Sequence, residues 1–387
     1  MKTVYLDNNA TTRVAPEVLE AMLPHLSEHY GNPSSMHRMG AKAAAIIKNA
    51  RERISAFLRC KESELIFTSS GTESNNLAIR GALEATPAKM HIVSSKVEHS
   101  SILNVLKRME PLGYRITLLD VAPDGTLDPD HLRQALTDDT ALVSIMYANN
   151  ETGVLFPVEA IASITKERGV PLMVDAIQAV GKIPIDLSAL DIDLMSFSGH
   201  KFHAPKGIGG LFVRKGTRIR PMMLGGSQEK GLRAGTENIA FIAAMATACE
   251  LAEQHLHHVQ TDTKRLRDAL ELGALTAIPG SRRIGHCDNR LPNTSNISFA
   301  SIEGEAVLLL MDELGICAST GSACTSGAVE PSHVLKAMGL GEDEARNAVR
   351  FSLSRYTTEQ EIDLTLTELP RIIERLRSAS SIILRDE

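Results

Sequence analysis

Ser196-Phe197-Ser198-Gly199-His200-Lys201 is the stretch on which the reading of this 387-residue chain turns. Asp191-Ile192-Asp193-Leu194-Met195 precedes it as a short apolar run that reads as a strand, and Pro205-Lys206-Gly207-Ile208-Gly209-Gly210 follows. A lysine on a strand-to-loop corner, among hydroxyls and an imidazole, suits a Schiff-base nucleophile. The amine must be partly desolvated to act, and small donors beside it can hold an anionic group. Taken alone, Lys201 reads equally well as a solvated surface lysine, so the flanking chain has to decide.

Upstream, apolar runs and helical periodicities alternate, which predicts one large α/β unit over 16–255 with a mostly parallel sheet. Residues 65–69 read as a strand that runs through Ser70-Gly71-Thr72-Glu73-Ser74-Asn75-Asn76 into a helix at 77–83. Strand, small hydroxyl-bearing turn and helix present backbone N–H groups and the Thr72 hydroxyl to a phosphate. A helix terminus contributes only ~0.3–1 kcal/mol toward an anion, so Ser198 and His200 are expected to join it. The plainer reading, a capping box Thr72-x-x-Asn75, is compatible with this one.

A strand at 91–94 leads to His99 at the start of a helix, a corner where active sites of parallel sheets collect; a simple cap is the alternative. The continuous apolar run 141–147 reads as a strand covered on both faces and ends at Ala148-Asn149-Asn150-Glu151. The strand 171–174 ends at Asp175-Ala176-Ile177-Gln178. There Asp175 can face a ring nitrogen and Gln178 a ring oxygen; the alternative for Asp175 is a helix N-cap. Gly207-x-Gly209 is no dinucleotide fingerprint, because Phe212 stands where a third glycine is needed, and Gly181-Lys182 is followed by Ile183, which excludes a Walker A motif.

The long glycine-punctuated loop 223–238, which contains Thr236, has no core pattern and reads as functional. His255, His257 and His258 read as a solvated helix end, so no metal site is expected there. Beyond 255 the composition shifts, and a smaller α+β unit is expected over 256–387, with strands at 295–299, 316–319 and 349–353, the last carrying Arg350. Residues 1–15 are expected to pack with it. Cys324 lies in Gly321-Ser322-Ala323-Cys324-Thr325-Ser326-Gly327, with nothing bulky to bury it, and reads as an exposed, reactive thiol on a mobile loop.

Composition narrows the class. Hydrophobic residues at 43% and charged residues at 23% are ordinary for a globular enzyme. A formal charge of -6 leaves no excess of cations for nucleic acid. No run approaches membrane-spanning length and no secretory h-region stands at the N-terminus, so neither membrane nor secretion is expected. Five scattered cysteines without a C-x-x-C pair fit a reducing cytoplasm.

Thr72, His99, Asp175, Gln178, Ser198-x-His200-Lys201 and the Cys324 loop together closely resemble the cysteine desulfurases, pyridoxal-phosphate enzymes of fold type I (aspartate-aminotransferase-like). The resemblance spans the chain, from Asp7-Asn8-Asn9-Ala10 to Arg350-Phe351-Ser352. The first of these, with Ser198-Gly199-His200-Lys201-x-His203-Ala204-Pro205 and Glu330-Pro331-Ser332-His333, is similar to the nitrogen-fixation type. Ser227 replaces a frequent histidine and Cys317 a small aliphatic residue. The resemblance implies that Lys201 holds the cofactor as a Schiff base, that Gly71, Thr72, Ser198 and His200 bind its phosphate, and that Thr236 reaches that phosphate from the other subunit of a homodimer. It further implies that Asp175 keeps the ring nitrogen protonated, Gln178 bonds the ring hydroxyl, and His99 stacks on the ring and moves protons. Asn150 and Arg350 are implied for the L-cysteine carboxylate. Cys324 would take the sulfur as a persulfide, releasing alanine and passing the sulfur to an iron-sulfur scaffold protein. No resident metal is implied; Cys324 would ligate a cluster only transiently with that scaffold. Another fold-type-I lyase or aminotransferase is the alternative enzyme, and it has no use for a thiol. A non-enzymatic sulfur scaffold would leave Lys201, Asp175 and His99 without a purpose.

Overall fold

The computed structural model describes residues 3–320 and 331–383. Strand β1 (Val4–Tyr5) stands apart at the N-terminus. Strands β2 (Leu65–Thr68), β3 (His91–Ser95), β4 (Arg115–Leu119), β5 (Thr140–Met146), β6 (Leu172–Asp175), β7 (Leu194–Ser198) and β8 (Gly209–Val213) form one seven-stranded sheet, ordered β2-β8-β7-β6-β5-β3-β4. Only β8 runs against the rest. β5, β6 and β7 are buried at every position, including Ser144, Ser196 and Ser198, as expected of strands covered on both faces.

Alternation along these strands divides the core in two. Val143 and Ile145, Val174, Met195 and Phe197 pack under the helices Arg38–Leu58 and Ile239–His258. Leu142, Met173, Leu194 and Leu211 face the helices Gly71–Ala85 and Ser100–Met109. The strand expected at 191–195 lies three residues further on, so Ser196 and Ser198 belong to the sheet and not to the loop after it. β8 went unforeseen because it opens with two glycines. Both are needed: a Cβ on Gly210 would enter the Phe197 ring, and one on Gly209 would meet the Ser70 backbone.

The helical run from Ile239 to His258 passes through a widened turn at Val259–Thr263 into a helix at Lys264–Ala277. Leu266 and Leu270 of this second helix belong to a separate core. There, β9 (Ser281–Ile284), β10 (Thr294–Phe299) and β12 (Ala348–Ser352) make an antiparallel sheet ordered β12-β10-β9. β11 (Ile316–Cys317) pairs in parallel with β1, Val4 opposite Ile316 and Tyr5 opposite Cys317. Val4 and Leu6 are thereby buried with Phe299, Val349 and Phe351. The helix Glu342–Arg346 and strand β9, neither of them expected, complete this part.

Candidate active site

The C-terminal ends of β2, β7, β6, β5 and β3 meet along one edge of the sheet, where the parallel architecture collects polar residues. A cavity of about 330 Å³ opens there. Its lining includes Gly71, Thr72, His99, Asn150, Asp175, Gln178, Ser198, His200, Lys201 and Arg350. Two expected participants are not among these lining residues. Thr236 is exposed and outside the lining, and Cys324 lies outside the described residues.

β7 delivers the lysine. Its last residue, Ser198, leads into a single helical turn, Gly199–Lys201, so Lys201 projects from the sheet edge. The Lys201 Nζ donates to the carbonyl oxygens of Asn9 (2.6 Å) and Ala10 (2.8 Å). His200 meets Thr11 Oγ1 through Nδ1 at 3.1 Å, and burial, then the charge of Lys201, lowers its pKa to about 4. The neutral ring therefore prevails at pH 7.

Asp175 ends β6, with both oxygens engaged. Oδ1 accepts from the Ile177 N–H (3.0 Å) and Oδ2 from Asn75 Nδ2 (2.8 Å). No helix follows, so it is no helix cap. Burial raises its pKa, opposed by the Ile177 hydrogen bond, His99, Asn75 and Lys201. The other Asn75 contact leads to the histidine: Nδ2 also donates to Ser101 Oγ at 2.8 Å, and that hydroxyl lies 2.8 Å from His99 Nδ1. His99 caps the helix Ser100–Met109, Nδ1 accepting from the Ser101 N–H at 3.1 Å. It is both a cap and a cavity residue. With Nδ1 accepting, the neutral ring carries its proton on Nε2. Burial lowers the His99 pKa, as do Lys201 and His333, while Asp175 opposes them.

The helix Gly71–Ala85 begins earlier than expected, and its cap is Ser70, whose Oγ accepts from the Glu73 N–H at 3.2 Å. The box Thr72-x-x-Asn75 does not form, because both residues are already helical and Asn75 turns inward. A Cβ on Gly71 would collide with Ile177, so only glycine leaves this wall open. Across the cavity Arg350 is buried, its Nη2 on Asp7 Oδ1 (2.7 Å) and its Nη1 on the Asn150 carbonyl (3.0 Å).

Three observations test whether these residues fit pyridoxal phosphate. Ser198 Oγ and Arg350 Nε are buried without a hydrogen-bond partner among the described residues, a state that costs free energy unless a ligand answers it. The helix terminus at Gly71 and Thr72 opens into the same cavity. A buried carboxylate, Asp175, lines the same cavity as Lys201 and could partner a protonated ring nitrogen. The residues fit the group.

Asn9, Asn75 and Ser101 were missed. Asn75 could have been suspected as a short amide side chain inside a helix, where its propensity is poor. Asn9 gives no local sign. Its Nδ2 donates to Thr294 Oγ1 (2.9 Å) and the Asn150 carbonyl (3.1 Å), and its N–H to Ser352 Oγ (2.9 Å), bonds that span most of the chain.

A sheet of this order with a lysine at this corner defines a class, and the chain belongs to the class-V aminotransferase family, whose family model matches residues 4–365. Among its relatives is cysteine desulfurase 2 of Trichormus variabilis, 55% identical over 380 residues, 98% of this chain and 95% of that one. Cysteine desulfurase NifS of Azotobacter vinelandii is 50% identical over 381 residues, again 98% and 95% of the two chains. A solved NifS-like protein superposes with a TM-score of 0.92 at 39% identity, covering 97% of this chain and 100% of that one.

Proposed function

We infer that this protein is a pyridoxal-phosphate-dependent cysteine desulfurase, which converts L-cysteine to L-alanine and keeps the sulfur as a persulfide. The observation that carries the reading is the convergence of Lys201, Asp175, His99, Ser198 and Arg350 on one cavity. Bound pyridoxal phosphate supplies a carbonyl for the amines of Lys201 and substrate, and a ring that draws electron density from the substrate carbon. Gly71, Thr72, Ser198 and His200 hold its phosphate, the Ser198 hydroxyl finding there the partner it lacks. Asp175 keeps the ring nitrogen protonated; its two donors and its burial hold it in place. Gln178 donates to the ring hydroxyl.

Arg350 and Asn150 orient the substrate carboxylate, Arg350 through its partnerless Nε. Lys201 moves the Cα proton. His99, neutral with its proton on Nε2, delivers or accepts a proton at the substrate. Cys324 attacks the substrate sulfur: a sulfur–sulfur bond forms and the carbon–sulfur bond breaks. The electron pair of the broken bond stays on substrate carbon, which takes up a proton. The thiol is oxidised to persulfide and the substrate carbon reduced to the methyl of alanine, so no external redox partner is needed.

The same reading makes the protein a cytoplasmic homodimer in which Thr236 of one subunit reaches the phosphate of the other; its exposure, outside the lining of its own cavity, supports this. It divides the chain into a large unit, 16–255, and a small one, 256–387, with 1–15 packing against the small unit; the core that gathers Val4, Leu6, Leu266, Phe299 and Phe351 supports this, although Ile284, Leu291, Val334 and Leu335 pack into the core of the large unit. The sulfur acceptor is an iron-sulfur scaffold, with nitrogenase supply suggested by the NifS relative. Cys324→Ser should retain the visible absorbance of the cofactor and bind L-cysteine, yet release almost no alanine. Mass spectrometry of the wild type after cysteine addition should find one extra sulfur on the peptide containing Cys324. That sulfur on Cys317 instead, with Cys324→Ser still active, would overturn the assignment.

A further inference from the structure

Lys182 follows Gly181 in a stretch to which no part of the reaction has been assigned, and its side chain is buried, with 6% of its surface exposed. A buried lysine is uncommon and requires partners. Here both are site residues: Nζ donates to Gln178 Oε1 at 2.6 Å and to Asn9 Oδ1 at 3.0 Å. Gln178 in turn donates Nε2 to the Asn9 carbonyl at 2.9 Å, and Lys201 donates to that same oxygen at 2.6 Å. Asn293 Nδ2 reaches Asn9 Oδ1 at 3.1 Å from the other side. A void of about 30 Å³ is lined by both Lys182 and Lys201.

These bonds admit one orientation of the Gln178 amide. Turned over, its NH₂ would face the Lys182 donor and its oxygen would face the Asn9 carbonyl, so both contacts would become repulsive. We propose that Lys182 is a positioning residue for the cofactor site: its bond to Oε1 fixes Gln178 with the donor end toward Lys201 and the cavity. This rests on the reading that Lys201 and Gln178 hold the cofactor. The electrostatics agree with the geometry. Burial, and then the charges of Lys201 and Arg350, depress the Lys182 pKa well below that of a free lysine, so Lys182 and Lys201 interact across the Asn9 carbonyl.

The test titrates the visible absorbance of the holoenzyme against pH in wild type, Lys182→Met, Gln178→Ala and the double variant, together with the cofactor dissociation constant. Lys182→Met should raise the absorbance midpoint by about one pH unit, since Gln178 loses the donor that turns its own N–H toward the site, and should weaken cofactor binding several-fold. Gln178→Ala should move the midpoint the same way, and the double variant no further than the larger single shift. Lys182→Arg, which keeps a donor, should return the midpoint toward wild type. If Lys182→Met does not fold, Lys182→Leu, which also lacks a donor, serves the same comparison. A wild-type midpoint in the Lys182 variant beside a shifted one in Gln178→Ala overturns the proposal and spares the reading of the site. Fully additive shifts also overturn it, because Lys182 then acts independently of Gln178. No shift in Gln178→Ala breaks the reading beneath both.

Discussion

Asp175, Asn75, Ser101 and His99 form a single chain of hydrogen bonds behind the cavity, so the carboxylate and the imidazole are oriented by the same amide. Asn75→Ala should strand one Asp175 oxygen and release the Ser101 hydroxyl. Leaving a buried group unpaired costs about 1–3 kcal/mol, and thermal denaturation should show it. Alanine formation should fall as well, while Lys201 still binds the cofactor; unchanged turnover would make Asn75 a purely structural residue. His99→Ala should lose activity by a factor of ~10²–10⁴, the usual contribution of a general acid or base. Steady-state alanine release measures it, and a rate near wild type would reduce His99 to the cap it also is. Lysine, aspartate and histidine were legible because each ends or follows an apolar run at a corner where such sheets place chemistry. Asn75 meets Asp175 across a hundred residues, and Lys182 stands out in the sequence only as part of an excluded Walker A pattern. Helix propensity could raise suspicion of Asn75, but only tertiary contacts reveal what either residue holds.

The corner between β3 and the helix Ser100–Met109 holds a second buried acid, next to His99 in the chain. Glu98 is fully buried, its Oε1 accepting from Ser95 Oγ (2.6 Å) and the Met146 N–H (3.0 Å), while Oε2 has no partner among the described residues. Burial pushes its pKa up to about 8, against the two hydrogen bonds. The unfolded chain releases this proton near pH 4.5, the ordinary value. Between pH 4.5 and 8 the folded state therefore binds the extra proton, and its contribution to stability falls as pH rises. Glu98→Gln mimics the protonated acid. Its melting temperature should fall less than that of the wild type between pH 6 and 9; parallel curves would refute the buried proton. At this scale the helices and parallel strands follow from periodicity, apart from small shifts in their ends. β8 does not, because Gly209 and Gly210 carry no apolar pattern and exist only to admit Phe197 and Ser70. The bounds of β7 also escaped: Ser196 and Ser198 read as the start of a polar loop, yet both are buried strand residues alternating with Phe197, so β7 came out three residues late.

Across the whole molecule, the N-terminal segment is held to the lysine turn by two histidines. His203 Nδ1 donates to the Arg13 carbonyl (3.0 Å), and the ring stands edge-on to Tyr356, 5.1 Å between centroids. Burial and then Arg355 lower the His203 pKa from 6.5 to about 3, as burial lowers that of His200 to about 4. An unfolded chain takes up these protons near pH 6.5 and the folded one only near 3 to 4. Stability is therefore lost as pH falls through that window, by up to about 1.4 kcal/mol per unit for each group. Cofactor-free protein should melt progressively lower from pH 6.5 to 4, and less steeply in His203→Gln; a flat profile in the wild type would contradict the burial. The pairing of β1 with β11, and of Asn8 and Asn9 with Ser352, has a further consequence, for biosynthesis. Val4 to Asn9 are translated more than three hundred residues ahead of the strands they join, a delay of roughly tens of seconds at ~5–20 residues per second. Throughout it Val4 and Leu6 are uncovered and the carbonyls of Asn9 and Ala10 have no settled place beside Lys201. The nascent chain can build its large sheet on the ribosome, but it becomes competent to load its cofactor only after residue 352 has emerged.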